Sequence, residues 1–210
     1  MFHCPRETYP YTIQTGDTLW MIARRFNTTV QSIRAEQELS EQLRLLWEQH
    51  VYWTRFTILS ILFGLPDEEA VVNRLLRNAK DFATLFRQYY GQDVGAEFEE
   101  LLTAHFTIAA ELVKAVKAGE TATATNADKR WYENANQIAD FLSGINPYWS
   151  AQEWKNMLYD HLALTKKETE SILKGNYEES INVFDEIERQ ALMMADTMMQ
   201  GMRKQFSQYL

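Results

Sequence analysis

Apolar residues recur at three- and four-residue steps along most of this chain, and polar or glycine stops divide them into segments of helical length. From about Ser40 the first long segment carries Leu43, Leu46, His50, Thr54, Thr57 and Ile61 on one face and ends at Gly64. Pro66-Asp67 opens the next, with Asp67 as its cap and Val71, Leu75, Asn78, Ala79, Phe82, Leu85 and Tyr89 inward, up to Gly91. A third helix, capped by Asp93, turns in Phe98, Leu101, His105, Ile108, Leu112 and Val116 and closes at Gly119. A polar loop is expected over residues 120–126, and the fourth helix then carries Trp131, Asn134, Ala135, Ile138 and Phe141 until Asn146-Pro147 forbids its continuation. Ser150 with Glu153, and Asn176 with Glu179, form capping boxes for the fifth and sixth helices. The fifth turns in Trp154, Met157, His161, Leu164 and Ile172 before Gly175, and the sixth Ile181, Phe184, Glu188, Leu192, Ala195 and Met199.

Polar positions repeat along with the apolar ones. His50, Gly64, Asn78, Ala79 and Ala83 return as His105, Gly119, Asn134, Ala135 and Ala139, and again as His161, Gly175, Gln190, Ala191 and Ala195. The step from His to Gly is fourteen residues in each copy, and the step from Gly to the amide is fourteen, fifteen and fifteen. The fold predicted for residues 40–210 is therefore all-α: a six-helix bundle built from three αα-hairpin repeats, about 40–91, 93–147 and 150–208. An open superhelix of the same hairpins is the alternative arrangement.

Residues 1–39 read differently. Tyr11 to Gln14 alternates like a strand, and Thr15-Gly16-Asp17-Thr18 makes a turn in which Asp17 or Thr18 caps a helix carrying Leu19, Ile22, Ala23 and Phe26 on one side. Asn27 suits a left-handed cap, and Thr29 caps a second short helix whose Val30 and Ile33 face the first. A short β-α-α leader ahead of the helical body is the expectation.

A formal charge of -8 and no clustered Lys or Arg argue against a nucleic-acid surface. The most apolar stretch, residues 56–65, is short for a membrane span and is broken by Thr57, Ser60 and Gly64. The first twelve residues lack the charged-then-apolar order of a secretory signal, so synthesis in the cytoplasm is expected. The single cysteine, Cys4, has no internal partner and reads as a free thiol.

A histidine fourteen residues before a turn and an amide the same distance after it stand level, each about 21 Å from the loop. Each hairpin should hold a polar rung: His50 with Asn78, His105 with Asn134, His161 with Gln190. Such rungs admit two roles. In one, each imidazole bonds its amide, which satisfies buried polar groups and fixes helix register. In the other, the three imidazoles converge on a small ligand, an anion or a transition metal such as Zn, assisted by Glu48, Glu168, Glu188 or Asp196. Neither Glu-x-x-His nor His-Glu-x-x-His occurs, so a di-iron bundle and a zinc protease are unsupported.

Met193, Met194, Met198, Met199 and Met202 read as soft core or a partner-binding face before a copper site. Arg55 reads as half of a surface salt bridge, with pairing to Glu48 or to an anion as the other choices. No nucleophile with a base and no phosphate loop is present, so no enzyme activity is expected.

The run YTIQTGDTLWMIARRFNTTVQSIRAE resembles the first part of a LysM module, a small βααβ domain that binds N-acetylglucosamine glycans such as peptidoglycan and chitin. The resemblance covers residues 9–36 and is truncated, since Gln37-Glu38-Leu39 runs into helix where the family has a loop and a second strand. It implies glycan contact at Gly16, Asp17 and Thr18, with the opposite wall of the site missing. Cys4-Pro5 is similar to LysM modules whose early Cys pairs with a later one, for which this chain has no partner.

Residues 43–206, through LLWEQHVYWTR, WYENANQIADFLSGINPYW and MLYDHLALTK, are similar to an uncharacterised all-helical bacterial family of spore-forming Firmicutes. The two resemblances imply a non-enzymatic protein of the cell envelope or spore surface, with a degenerate LysM module, a helical interaction domain and no cofactor. Its partners would be peptidoglycan or another N-acetylglucosamine glycan and a protein. The alternative is a cytosolic metal- or small-ligand-binding bundle using the three repeated histidines.

Overall fold

The computed structural model describes residues 11–206. It contains seven helices: α1 (Leu19–Arg25), α2 (Val30–Phe63), α3 (Glu68–Tyr90), α4 (Gln92–Ala118), α5 (Thr121–Ile145), α6 (Ala151–Leu173) and α7 (Tyr177–Phe206). Helices α2 to α7 each pack on the next, and α7 returns against α2, so the six long helices close into a ring. Short α1 rests on α2.

Local chemistry sets the turns. Gly64 and Gly119 end α2 and α4 in the left-handed region, at φ 61° and 72°, where a side chain would be strained. Within the hairpins Ala79, Ala83, Ala135, Ala139, Ala191 and Ala195 are all buried, which lets paired helices approach closely. Larger side chains such as Trp154, Phe82, Phe86, Phe98 and Leu162 fill the interior, each worth about 1.5–3 kcal/mol of burial.

The structure corrects the leader. Among the described residues there is no strand, and Tyr11 to Gln14 has no ladder partner, so the expected β-α-α unit is not formed. Nor does a helix start at Ser40. Thr29 accepts a hydrogen bond from Ser32 N, and α2 runs from there through Ser40 without a break. The reason lies in Leu39, Leu43 and Trp47, which recur at four-residue steps and are 2%, 0% and 6% exposed. Burying all three in the bundle requires helix, whereas a lone strand would leave its backbone groups unpaired.

Three smaller expectations also change. The loop expected over residues 120–126 shrinks to Glu120, because α5 begins at Thr121 and buries Ala127 completely. Val116, near the end of α4, is exposed, and so is Ile181 in α7. The buried stripe of α7 is Val183, Ile187, Met194, Met198 and Met202, which makes those methionines core. Asp67 does not cap α3 with its side chain; its carboxylate accepts from the Ser60 hydroxyl at 2.9 Å. Cys4 and residues 9–10 and 207–208 lie outside the described residues. No described helix is long and apolar enough to cross a membrane.

Candidate functional site

Helices α2, α4 and α6 bring His50, His105 and His161 into the interior, where they are 5%, 4% and 2% exposed. Their amide neighbours on α3, α5 and α7 are held alike in all three hairpins. Asn78 Nδ2 donates to Leu46 O at 3.0 Å, Asn134 Nδ2 to Leu101 O at 3.1 Å, and Gln190 Nε2 to Met157 O at 2.6 Å. Each acceptor lies one helical turn before the histidine of its hairpin. With the NH2 group so committed, each amide oxygen faces inward as an acceptor.

Two of the three imidazoles use that oxygen. His105 Nδ1 lies 2.7 Å from Asn134 Oδ1 and His161 Nδ1 lies 3.0 Å from Gln190 Oε1, so both rings carry their proton on Nδ1. His50 departs from the pattern: its Nε2 lies 3.3 Å from His161 Nε2, while His50 Nδ1 and Asn78 Oδ1 are buried without partners.

Burial dominates the protonation of the layer. It holds His105 down to about 3, against a smaller upward pull from the Asn134 bond. Burial also lowers His161, partly offset by Gln190, and drives His50 well below its ordinary value with further lowering from His161 and His105. All three rings are neutral at pH 7. They line a void of about 20 Å³ with Trp47, Phe106 and Trp154, room for about one water molecule.

The carboxylates proposed to assist stand elsewhere. Glu188 accepts from Tyr52 Oη at 2.9 Å, and Asp196 pairs with Arg44 at 2.6 Å. Glu48 forms no ion pair in the described residues and is half-buried. Among the described residues no group of three or more His, Cys, Asp or Glu side chains is placed to hold a metal ion.

Glu168 holds a different role: it is 1% exposed and bonded to Arg55, which also reaches Ser180 O at 3.3 Å and lies 5.1 Å from the Phe184 ring. Burial raises the Glu168 carboxyl to about 7, although Arg55 pulls it down. Arg55 is therefore neither a partner of Glu48 nor half of a surface bridge. The signal available in the sequence was spacing, since Glu168 follows His161 by two helical turns and so shares its buried face.

At the N-terminal segment the polar groups of the expected glycan contact serve the local turn. Gly16 sits at φ 95°. Asp17 Oδ2 accepts from Tyr11 Oη at 2.6 Å and from Gln14 N at 2.7 Å, contacts that hold its carboxyl below the usual range. Thr18 caps α1 by accepting from Met21 N at 3.2 Å. Beside this turn Trp20 is 61% exposed, with the Arg24 guanidinium 5.4 Å from its ring.

No curated protein and no solved structure matches the chain. A family model described as LysM domain matches residues 11–48, a span that takes in the Gly16 turn, α1 and the first half of α2.

Proposed function

We propose that this chain is a non-enzymatic, glycan-binding protein of the cell envelope or spore surface. The LysM segment meets N-acetylglucosamine glycan, and the long helices carry that segment and engage a protein partner. The match of residues 11–48 to the LysM domain carries the reading. Trp20 supports it, because an exposed indole beside the Gly16 turn offers a flat face on which a sugar ring can stack. Where the family has a loop and a second strand, this chain continues as α2, so contact is one-sided. A spore destination after cytoplasmic synthesis is part of this reading and rests on the sequence resemblance alone.

Because α2 starts at Val30 and continues into the bundle, deleting the leader would cut a core helix. The test therefore uses the full chain and Trp20→Ala in co-sedimentation with purified peptidoglycan. Retention by the wild type, reduced in the variant, supports glycan binding. Equal retention of both proteins, or none above a protein-only control, overturns it.

A further inference from the structure

Beyond Phe106, whose ring also walls the histidine void, lies a second cavity of about 110 Å³ between α2, α4 and α6. Its lining is largely apolar, with Ile58, Leu75, Ala110 and Val113 among the residues that form it. Three polar residues of the lining are unsatisfied: Thr54 Oγ1 and Thr57 Oγ1 on α2 and Trp131 Nε1 on α5 are buried and have no hydrogen-bond partner. Thr57 and Trp131 are each 3% exposed, so these groups lie away from the outer surface.

The neighbouring threonines sharpen the contrast. Thr165 and Thr169 also line the cavity, and each donates its hydroxyl to the carbonyl one turn back, at 2.8 and 2.9 Å. Thr54 and Thr57 occupy helix positions where the same local bond is available, yet leave it unmade. Buried polar groups are almost always paired, and an apolar cavity with a few convergent polar groups is the usual form of a small-molecule site.

We propose that this cavity binds a small, largely apolar molecule bearing one hydroxyl, of the phenol class. The ligand hydroxyl donates to a threonine Oγ1, and its oxygen accepts from the Trp131 indole N–H. An engineered cavity of about 150 Å³ takes benzene. The space here suits a single ring, and Lys166 and Glu170 are the charged residues of its lining. The site is independent of glycan contact, which involves the opposite surface chemistry and a different segment of the chain.

The probe is 4-fluorophenol, titrated into the full-length protein and followed by ¹⁹F NMR, with 4-fluorotoluene as the matched molecule lacking the hydroxyl. Saturable binding of 4-fluorophenol is expected, together with its loss in Ala110→Leu, which fills the cavity. Thr57→Val and Trp131→Phe should each weaken 4-fluorophenol about tenfold and leave 4-fluorotoluene unchanged. Each variant is first checked for cooperative unfolding, and Thr57→Val serves alone if Trp131→Phe does not fold. Trp20→Ala should bind the probe like the wild type whatever its behaviour on peptidoglycan. No saturable binding by the wild type, binding indifferent to Ala110→Leu, or equal preference for both probes in every variant overturns the proposal.

Discussion

His50 Nε2 lies 3.3 Å from His161 Nε2, and His161 already commits its ring proton to Gln190 through Nδ1. The bond between the two rings is therefore donated by His50, which leaves His50 Nδ1 as a bare acceptor. Asn78 Oδ1 is an acceptor as well, because its NH2 group is held by Leu46 O. Two acceptors cannot pair. The absence of a first rung thus follows from one proton on a neighbouring ring, and it makes the three amides energetically unequal.

Asn134→Leu removes the acceptor of His105 and strands a buried N–H, whereas Asn78→Leu removes an oxygen that has no partner. Both variants also lose the bond to the preceding helix. Urea unfolding should show Asn134→Leu less stable than Asn78→Leu by about 1–2 kcal/mol. Equal losses would mean that His105 does not depend on the amide.

Acid should destabilise the fold through the histidines. Their native-state values lie below the ordinary 6.5, at about 3 for His105, so the unfolded chain binds more protons in that interval. Stability is then full above pH 6.5 and falls as pH drops towards 3, by on the order of 5 kcal/mol for His105 alone. Urea midpoints measured at pH 7.5, 6 and about 4.5 should fall in that order. His105→Phe should flatten the slope.

Glu168 acts in the opposite direction. Its native value is raised to about 7 from 4.5, so the native state holds the proton first as pH falls, and stability is gained between those values. In Glu168→Gln that gain, on the order of 3 kcal/mol, disappears. The variant should therefore lose stability more steeply than the wild type between pH 7 and about 4.5. A parallel curve would show that Glu168 is solvated.

Gly201 lies against the indole of Trp149. A Cβ built on Gly201 would stand 1.9 Å from Trp149 Nε1 and 2.3 Å from Cδ1. Trp149 is 3% exposed and packs on Trp154, so it has little room to yield. Gly201→Ala should cost about 1–3 kcal/mol in thermal or urea unfolding. An unchanged midpoint would show that the ring moves freely.

Much of the helical body was legible because the relevant information is local. Steps of three and four residues mark helical faces, and Gly64 and Gly119 mark the ends of α2 and α4. The leader was less legible for a physical reason. A boundary near Ser40 was read between the leader and the first long helix, and only the bundle shows that Leu39, Leu43 and Trp47 are buried along one unbroken helix. The outward turn of Ile181 was equally hidden, since the sixth helix has apolar residues on more than one side and its neighbours select the buried stripe.

From the sequence alone came the helical character of the body and the level spacing of histidines and amides, which depend on spacing within one segment, together with the resemblance of the opening to a LysM module, which rests on a local motif. Only the tertiary structure decided which histidine donates to which, that Arg55 meets Glu168, that α2 runs unbroken, and that Thr54, Thr57 and Trp131 line one cavity. Those relations depend on which faces of distant helices meet and on how few partners remain once water is excluded. A linear spacing specifies neither.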